Sequence, residues 1–537
     1  MEHDARPWLA HYPPGRPATF VPDHADGLSM LAAAVGAVPD AAAAHYLGTS
    51  LSWAWLDRGS DALAALLVAR GFRRGDRLAL CVQNDPAFLV GLLAAWKAGG
   101  AAALVSPMLR ARELDQTLRD CEPAALLVLA DLYEDVARAV LAPGDLGVHT
   151  VVTVAGPDDD RSGPGDTLDL AAVLTTGAAP PPTARPRPDD VAVLAYTSGT
   201  TGRPKAAMLT HANLAHSAQT YRDWYGLAPG EPVLALSPVF HVTGLVGGVV
   251  LALLLGSPVV LTHRITPDVV LAAVRTHRPS FAVASVTAYL ALVDDGRAEP
   301  ADFTSFRVLA SGGAPIEPAV ADRIEAATGH YLHNVYGQTE TTSPSHAVPP
   351  GVRAPVDEAT RSLSVGLPVF GTVTRVVDDH GRDVPVGEIG ELVTTGPQVA
   401  IGYWRNPEAS AESLPDGALH TGDVGFMSPD GWFHVVDRRT DMINASGYKV
   451  WPREVEQVLA GHPAVREVAV VGIPDDYRGE SVKAFVALRP DAVVSEVELV
   501  GYCRERMAAF KYPREIELVA RLPRTLTGKV LRRELRA

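Results

Sequence analysis

Between Tyr196 and Lys205 the chain reads Tyr-Thr-Ser-Gly-Thr-Thr-Gly-Arg-Pro-Lys. Thr197, Ser198, Thr200 and Thr201 bring hydroxyls, Gly199 and Gly202 bring backbone freedom, and Lys205 brings a cation. Glycines let neighbouring N–H groups turn inward into an anion-binding concavity. Hydroxyls add donors and the lysine adds charge, which is the chemistry of a polyphosphate cradle. It is not the common P-loop, because Gly199 is not followed by Gly-Lys-Ser/Thr at the required spacing. An ordinary polar turn has little use for so many hydroxyls beside a lysine.

Other stretches have chemistry that could serve such a cradle. Ser311-Gly312-Gly313-Ala314-Pro315 follows an apolar run, where open α/β sheets bind ligands and glycines admit a flat ring. Tyr336-Gly337-Gln338-Thr339-Glu340 offers an aromatic face, a hydroxyl and a carboxylate. Glu340 suits Mg²⁺, which takes one or two carboxylates plus substrate phosphates. Asp423, after His420-Thr421-Gly422, suits the two hydroxyls of a ribose. Arg438 suits bidentate contacts to phosphate or ribose. Lys529 closes Pro523-Arg524-Thr525-Leu526-Thr527-Gly528-Lys529 near the C-terminus. Taken singly, these also fit a strand-to-helix turn, a capped turn, a helix cap, a surface ion pair and a basic tail.

These residues need a frame. Strands and helices alternate from Asp61 to Val154, which predicts a parallel sheet covered on both faces. The helices are expected at 61–70, 86–97, 111–119 and 132–141, the strands at 77–82, 101–105, 124–129 and 148–154. Residues 1–50 read as an arm and a first helix. Residues 156–189, rich in Pro, Gly, Asp and Thr, read as a linker. A second α/β half follows, and the cradle is expected on its sheet, near where the halves meet. From Ser364 short β runs with Asp-Gly turns predict a smaller β subdomain. A compact α+β unit follows Asp437. The fold class is therefore α/β: a large N-terminal domain of two α/β lobes plus a β subdomain (1–437), and a small mobile α+β C-terminal domain (438–537), hinged near Asp437–Asp441.

The whole-chain numbers bound the class of protein and leave room for a local basic patch around an anionic substrate. At 537 residues there is more than one core, and 47% hydrophobic content is ordinary for a globular protein. A net charge of −15 argues against nucleic acid as partner. Three unpaired cysteines fit a reducing, cytoplasmic setting, and Met1–Arg6 lacks the pattern of a signal peptide. The uncharged run Val242–Leu261 is long enough to span a membrane. Its glycines and Ser257-Pro258 read better as a buried helix ending at Gly256 and a strand at 259–261. No transmembrane segment is expected, and peripheral membrane contact is left open.

Taken in order, Tyr196–Lys205, Tyr336–Glu340, His420–Asp423, Arg438 and Lys529 resemble the adenylate-forming superfamily. Its members include acyl-CoA synthetases, peptide adenylation domains and firefly luciferases. The resemblance covers nearly the whole chain. It implies that Thr197, Ser198, Gly199, Thr200, Thr201, Gly202 and Lys205 grip the β- and γ-phosphates of ATP. Gly312, Gly313, Ala314, Tyr336, Gly337 and Gln338 would flank the adenine. Thr339 would meet the α-phosphate, and Thr200 and Glu340 the Mg²⁺. Asp423 and Arg438 would hold the ribose, with Val435 beside the nucleotide. Lys529 would bridge the acyl carboxylate and the α-phosphate. After a rotation of the C-terminal domain, Ala445–Lys449 would line the entry of a thiol, with Lys449 among the coenzyme contacts. At the hinge this chain has Thr440 where the family usually has Asp or Lys.

The resemblance also implies that His241, in Ser237-Pro238-Val239-Phe240-His241, gates the acid. Val242, Thr243, Ser285, Gly312, Gly337 and Ser343 would line its pocket. A lone histidine otherwise reads as a core or surface residue. No acidic residue stands near Ser237–Val239 to hold a substrate amine, which speaks against a peptide adenylation domain. The opening Arg6–Gly15 and Phe510-Lys511-Tyr512-Pro513 resemble medium- and long-chain fatty acyl-CoA synthetases. The expected activity is an acid–thiol ligase for a hydrophobic carboxylic acid, using ATP, Mg²⁺ and coenzyme A. The alternatives are an acyl-AMP ligase that loads an acyl carrier protein and a luciferase-like monooxygenase.

Overall fold

A computed structural model describes residues 6–157, 165–179, 185–197, 205–358, 362–445, 448–475, 479–525 and 530–536. Runs such as Ala125–Leu129 are buried at every position, because helices cover both faces of a parallel sheet. A seven-stranded sheet carries the first lobe. Its order is Leu168–Asp169, Thr150–Val154, Ala125–Leu129, Arg77–Cys81, Ala101–Leu104, Val191–Thr197 and Lys205–Thr210. A nine-stranded sheet carries the second lobe. Its parallel part runs from Leu332–Tyr336 through Val308–Ser311, Phe281–Ala284, Val233–Leu234 and Val259–Leu261 to Ala42–Tyr46.

Three expectations are corrected here. The strand leading into the cradle, Val191–Thr197, belongs to the first lobe's sheet, where Ala102 pairs with Val193. An apolar run signals a buried strand but not its neighbour; the stretch 156–189, expected to be a linker, itself holds the edge strand Leu168–Asp169 and the helix Leu170–Leu174 before the chain returns beside Ala101–Leu104. Residues 1–50 hold more than a helix. After the helix Gly27–Ala37, the hairpin Ala42–Tyr46 and Thr49–Ser52 completes the second lobe's sheet. The two lobes therefore exchange strands. Helix boundaries also move, since Trp53–Ala69 starts a full two turns before Asp61, capped by Ser52.

The apolar run is a buried helix, as the glycines and proline imply. It runs from Val242 to Leu255 with a π segment at Leu245–Val250 and ends at Gly256, whose φ is 58°. The strand Val259–Leu261 follows. Among the described residues, no helix is long and apolar enough to cross a membrane. Cys81, Cys121 and Cys503 are buried free thiols.

The β subdomain is an antiparallel sheet of Val373–Val377, Gly390–Thr395, Leu419–Met427 and Phe433–Arg438. The smaller C-terminal domain has a core of its own, built on residues such as Val455, Val470, Val486 and Leu499. Its strands Val465–Asp475 and Gly479–Leu488 form a long antiparallel pair, joined by Glu515–Leu518 in parallel.

Candidate active site

The loops after Phe281–Ala284, Val308–Ser311 and Leu332–Tyr336 leave one edge of the parallel sheet side by side. That edge, at the carboxyl ends of the strands, is where open α/β sheets bind ligands. The glycines there have steric causes. A Cβ on Gly312 would lie 2.5 Å from the carbonyl oxygen of Val335 on the adjacent strand. One on Gly337 would lie 1.9 Å from that of Ser343. Gly313 is exposed, with a φ of 80° that disfavours a side chain. Ala314 is half-buried against the core. The chain turns back at Gly337 and is knitted shut there. Gln338 N donates to Thr341 Oγ1 at 2.8 Å, and that hydroxyl lies 2.9 Å from the Ser343 carbonyl oxygen it donates to. Thr342 and Ser343 both have left-handed backbones, with φ of 48° and 82°. Such strain persists only where the surroundings enforce it.

Asp423 is the hub on the subdomain side. Its Oδ2 accepts from Tyr336 Oη at 2.7 Å and from Gln338 Nε2 at 2.8 Å. Gln338 Nε2 also reaches the Thr421 carbonyl oxygen at 2.8 Å. Arg438 Nε lies 3.2 Å from Asp423 Oδ1, and the two residues are direct cross-strand partners. Asp423 is only 5% exposed, so its charge needs these donors. Tyr336 and Gln338 occupy two of its roughly four lone-pair sites and Arg438 adds an opposite charge, which leaves room for a ligand hydroxyl. Asp423 in turn raises the pKa of Arg438. Burial first, and then Asp423, push the Tyr336 phenol well above its ordinary range.

The expected phosphate side joins the lobes. Thr197 and Lys205 face each other across the antiparallel pair that flanks the cradle. The turn Thr339–Thr341, which ends a second-lobe strand, packs on these two first-lobe strands. Glu340 is 8% exposed, and Tyr403 Oη donates to its Oε1 at 2.6 Å. Lys205 Nζ lies 5.3 Å from the centre of the Tyr403 ring. One tyrosine therefore touches both the cradle lysine and the predicted metal ligand. Sequence reasoning missed it. The only signal was an aromatic pair, Tyr403-Trp404, after a glycine in an otherwise irregular stretch.

His241 caps the helix at Val242–Gly244, its Nδ1 accepting from Thr243 N at 3.4 Å. The loop before it is fastened by Asn84, also missed from sequence. Asn84 Nδ2 donates to the carbonyl oxygens of Ala235 and Ser237 at 3.0 and 3.1 Å, and its Oδ1 accepts from Val239 N at 2.9 Å. The hydroxyls of Ser343 and Tyr221 meet at 2.9 Å.

At the predicted hinge, the carbonyl oxygen of Val435 accepts from Arg453 Nη1 at 2.8 Å, and Asp437 Oδ2 accepts from Arg453 N at 3.0 Å. Burial pushes the Asp437 carboxyl up to about 6, partly opposed by Arg532. Lys449 lies on the strand Tyr448–Val450, opposite Asn444. Ser198, Gly199, Thr200, Thr201, Gly202 and Lys529 lie outside the described residues.

Among the described residues, no group of three or more His, Cys, Asp or Glu gathers as a metal cage. A buried carboxylate, Glu340, beside the strands that flank the expected phosphate cradle fits a hard cation that completes its shell with substrate phosphate and water.

Family models for the AMP-binding enzyme and the AMP-binding enzyme C-terminal domain match residues 31–404 and 454–529. The chain is 34% identical to a long-chain-fatty-acid–CoA ligase of Escherichia coli O6:H1, over 98% of this chain and 97% of that one. It is 38% identical to a feruloyl-CoA synthase of an Amycolatopsis species, over 93% and 96%. The solved structure of the anthranilate CoA ligase AuaEII with anthranoyl-AMP superimposes with a TM-score of 0.86 at 27% identity, covering 97% of both chains.

Proposed function

The chain belongs to the AMP-binding enzyme family, in the acyl-CoA synthetase group of the adenylate-forming superfamily. From that premise we propose that it activates a hydrophobic carboxylic acid, either a medium- or long-chain fatty acid or a bulky aromatic one. The family-level chemistry is that of an AMP-forming acid–thiol ligase. It makes an acyl adenylate from ATP, releases pyrophosphate and passes the acyl group to coenzyme A. Support for the acid class comes from two relatives, one named for a long-chain fatty acid and one for ferulate.

The observation that carries the reading is the convergence of motifs from both lobes. Asp423 gathers Tyr336, Gln338 and Arg438, while Tyr403 links Glu340 to Lys205. The first cluster suits the nucleoside and the second the phosphates. A carboxylate attacking an anionic phosphate is repelled, so aimed cations lower the barrier. Lys205 and the cradle hold the departing pyrophosphate, and Lys529 steadies the acid carboxylate against the α-phosphate. Mg²⁺, held by Glu340 with Thr200, would add charge neutralisation on the phosphates. His241 borders the acid, and Asn84 sets the loop that carries it. The C-terminal domain, residues 438–537, rotates about the 437–441 segment so that 445–449, with Lys449, faces coenzyme A in the second step.

The test is pyrophosphate release from ATP with a panel of aliphatic and aromatic acids, followed by acyl-CoA formation with coenzyme A or acyl carrier protein. Acid-dependent release with hydrophobic acids, and transfer to coenzyme A, is the expected result. Release with none of the acids would sink the reading.

A further inference from the structure

The segment Ala400–Trp404 acts as a strap across the phosphate end of the site. Ala400 N donates to the Glu340 carbonyl oxygen at 2.8 Å. Met208 N donates to the Gly402 carbonyl oxygen at 2.9 Å, and Trp404 N to that of Ala206 at 2.8 Å. The strap thus lies along the outer edge of Lys205–Thr210. Just before the strap, Asn213 Nδ2 donates to the Val399 carbonyl oxygen at 3.1 Å. Tyr403 N donates to Ser410 Oγ at 2.8 Å, and Trp404 Nε1 to the Asp120 carbonyl oxygen at 3.2 Å. Tyr403 is fixed on both sides and only 6% exposed.

We propose that Tyr403 is a positioning residue for the metal-binding carboxylate. Its hydroxyl occupies Oε1 of Glu340 and leaves Oε2 to face a divalent cation. The inference rests on the reading of Glu340 as the metal ligand. A bare carboxylate turns freely about its last torsion and can grip a cation with both oxygens. A phenol donor at 2.6 Å on one oxygen fixes the rotation and leaves the other to bind alone. Outer partners of this kind orient metal ligands. One-oxygen binding suits Mg²⁺, which demands octahedral geometry, more than Ca²⁺, which accepts two-oxygen carboxylates. Facing an acceptor-only carboxylate oxygen at this distance, the phenol is the donor of the pair.

The test compares the full-length protein with Tyr403→Phe, Glu340→Gln and Ser410→Ala. ATP binding is measured by calorimetry at graded MgCl₂ or CaCl₂ and in EDTA. Mn²⁺ binding in the presence of ATP is read by electron paramagnetic resonance. Tyr403→Phe should raise the Mg²⁺ concentration for half-maximal ATP binding by about 10–100-fold and weaken Mn²⁺ binding to match. It should shift the Ca²⁺ response less and leave the metal-free ATP affinity within about twofold. Glu340→Gln should shift the Mg²⁺ response at least as far. Ser410→Ala loosens the strap without touching the phenol and should stay within about twofold of the parent.

A shift with Glu340→Gln but none with Tyr403→Phe overturns the positioning role and leaves the reading of Glu340 intact. No shift with either overturns both. An equal loss of ATP affinity with and without metal also overturns the proposal, because Tyr403 would then act through Lys205. A shift of about tenfold with Ser410→Ala does so too, since strap integrity would then set the response.

Discussion

Asp423→Asn separates a nucleotide-binding role from a merely structural one. The substitution keeps the shape and removes the charge. Two donors, Tyr336 Oη at 2.7 Å and Gln338 Nε2 at 2.8 Å, then meet a neutral acceptor at best. A hydrogen bond to a charged group is worth about 1.5–3 kcal/mol and a neutral one about 0.5–1.5 kcal/mol, so each loses roughly 1–1.5 kcal/mol. The Arg438 side chain is 39% exposed, so losing its ion pair adds at most about 1 kcal/mol. These groups touch one another, so the losses do not add fully, and about 2–3 kcal/mol is expected overall. Part of this appears as a lowered melting temperature without ligand. If the free lone pair of Asp423 receives a ribose hydroxyl, ATP binding loses a further charge-assisted bond, about tenfold in the KM for ATP. The assay is initial pyrophosphate release at varied ATP and saturating acid, alongside thermal melting. A lowered melting temperature with an unchanged KM for ATP would refute the ribose role and leave Asp423 as an internal brace.

Gly337→Ala should reduce folded yield and pyrophosphate release together, because its Cβ would lie 1.9 Å from a backbone oxygen. Gly313→Ala meets open space and should lose only the roughly 1–2 kcal/mol of a left-handed backbone, as thermal melting would record. Asp437 has a native pKa of about 6, above its unfolded value, so the neutral carboxyl favours the native state at low pH and that advantage fades as pH rises through about 6. Melting should therefore show Asp437→Asn to be more harmful relative to the parent at about pH 4.5 than at about pH 7; a pH-independent difference would contradict the burial argument. Lys529→Ala should abolish acyl-AMP formation yet leave transfer from supplied acyl-AMP to coenzyme A largely intact, and equal loss of both would count against the alternating C-terminal domain.

Particular stretches explain what a linear reading could reach. Val242–Leu255 was legible as a buried helix because its stop, Gly256 followed by Ser257-Pro258, is written in adjacent residues. Gly312 was legible as a place where a flat ring nears the backbone, whereas Gly337 carried no such signal. What approaches each glycine was not legible: Val335 belongs to the neighbouring strand, and Ser343 sits across a reversed turn. The apolar run Val191–Ala195 reads as a buried strand, and the strand does form, at Val191–Thr197, but in the first lobe's sheet and not the second's. A fully apolar strand can pair with any other, so its partner is decided by the helices and linkers that pack around it.

The sequence by itself determined the alternation of elements, the family and the residue types that meet a nucleotide, because these depend on local spacing and on chemistry each side chain carries alone. Tertiary structure decided which of them share a site. Asp423 and Arg438 meet only because two antiparallel strands set them opposite one another. Glu340, in a turn after a second-lobe strand, and Lys205, at the start of a first-lobe strand, are joined by Tyr403, which no spacing rule singles out. The grip of a buried carboxylate depends on the donors that surround it, and those donors are brought together by packing between lobes.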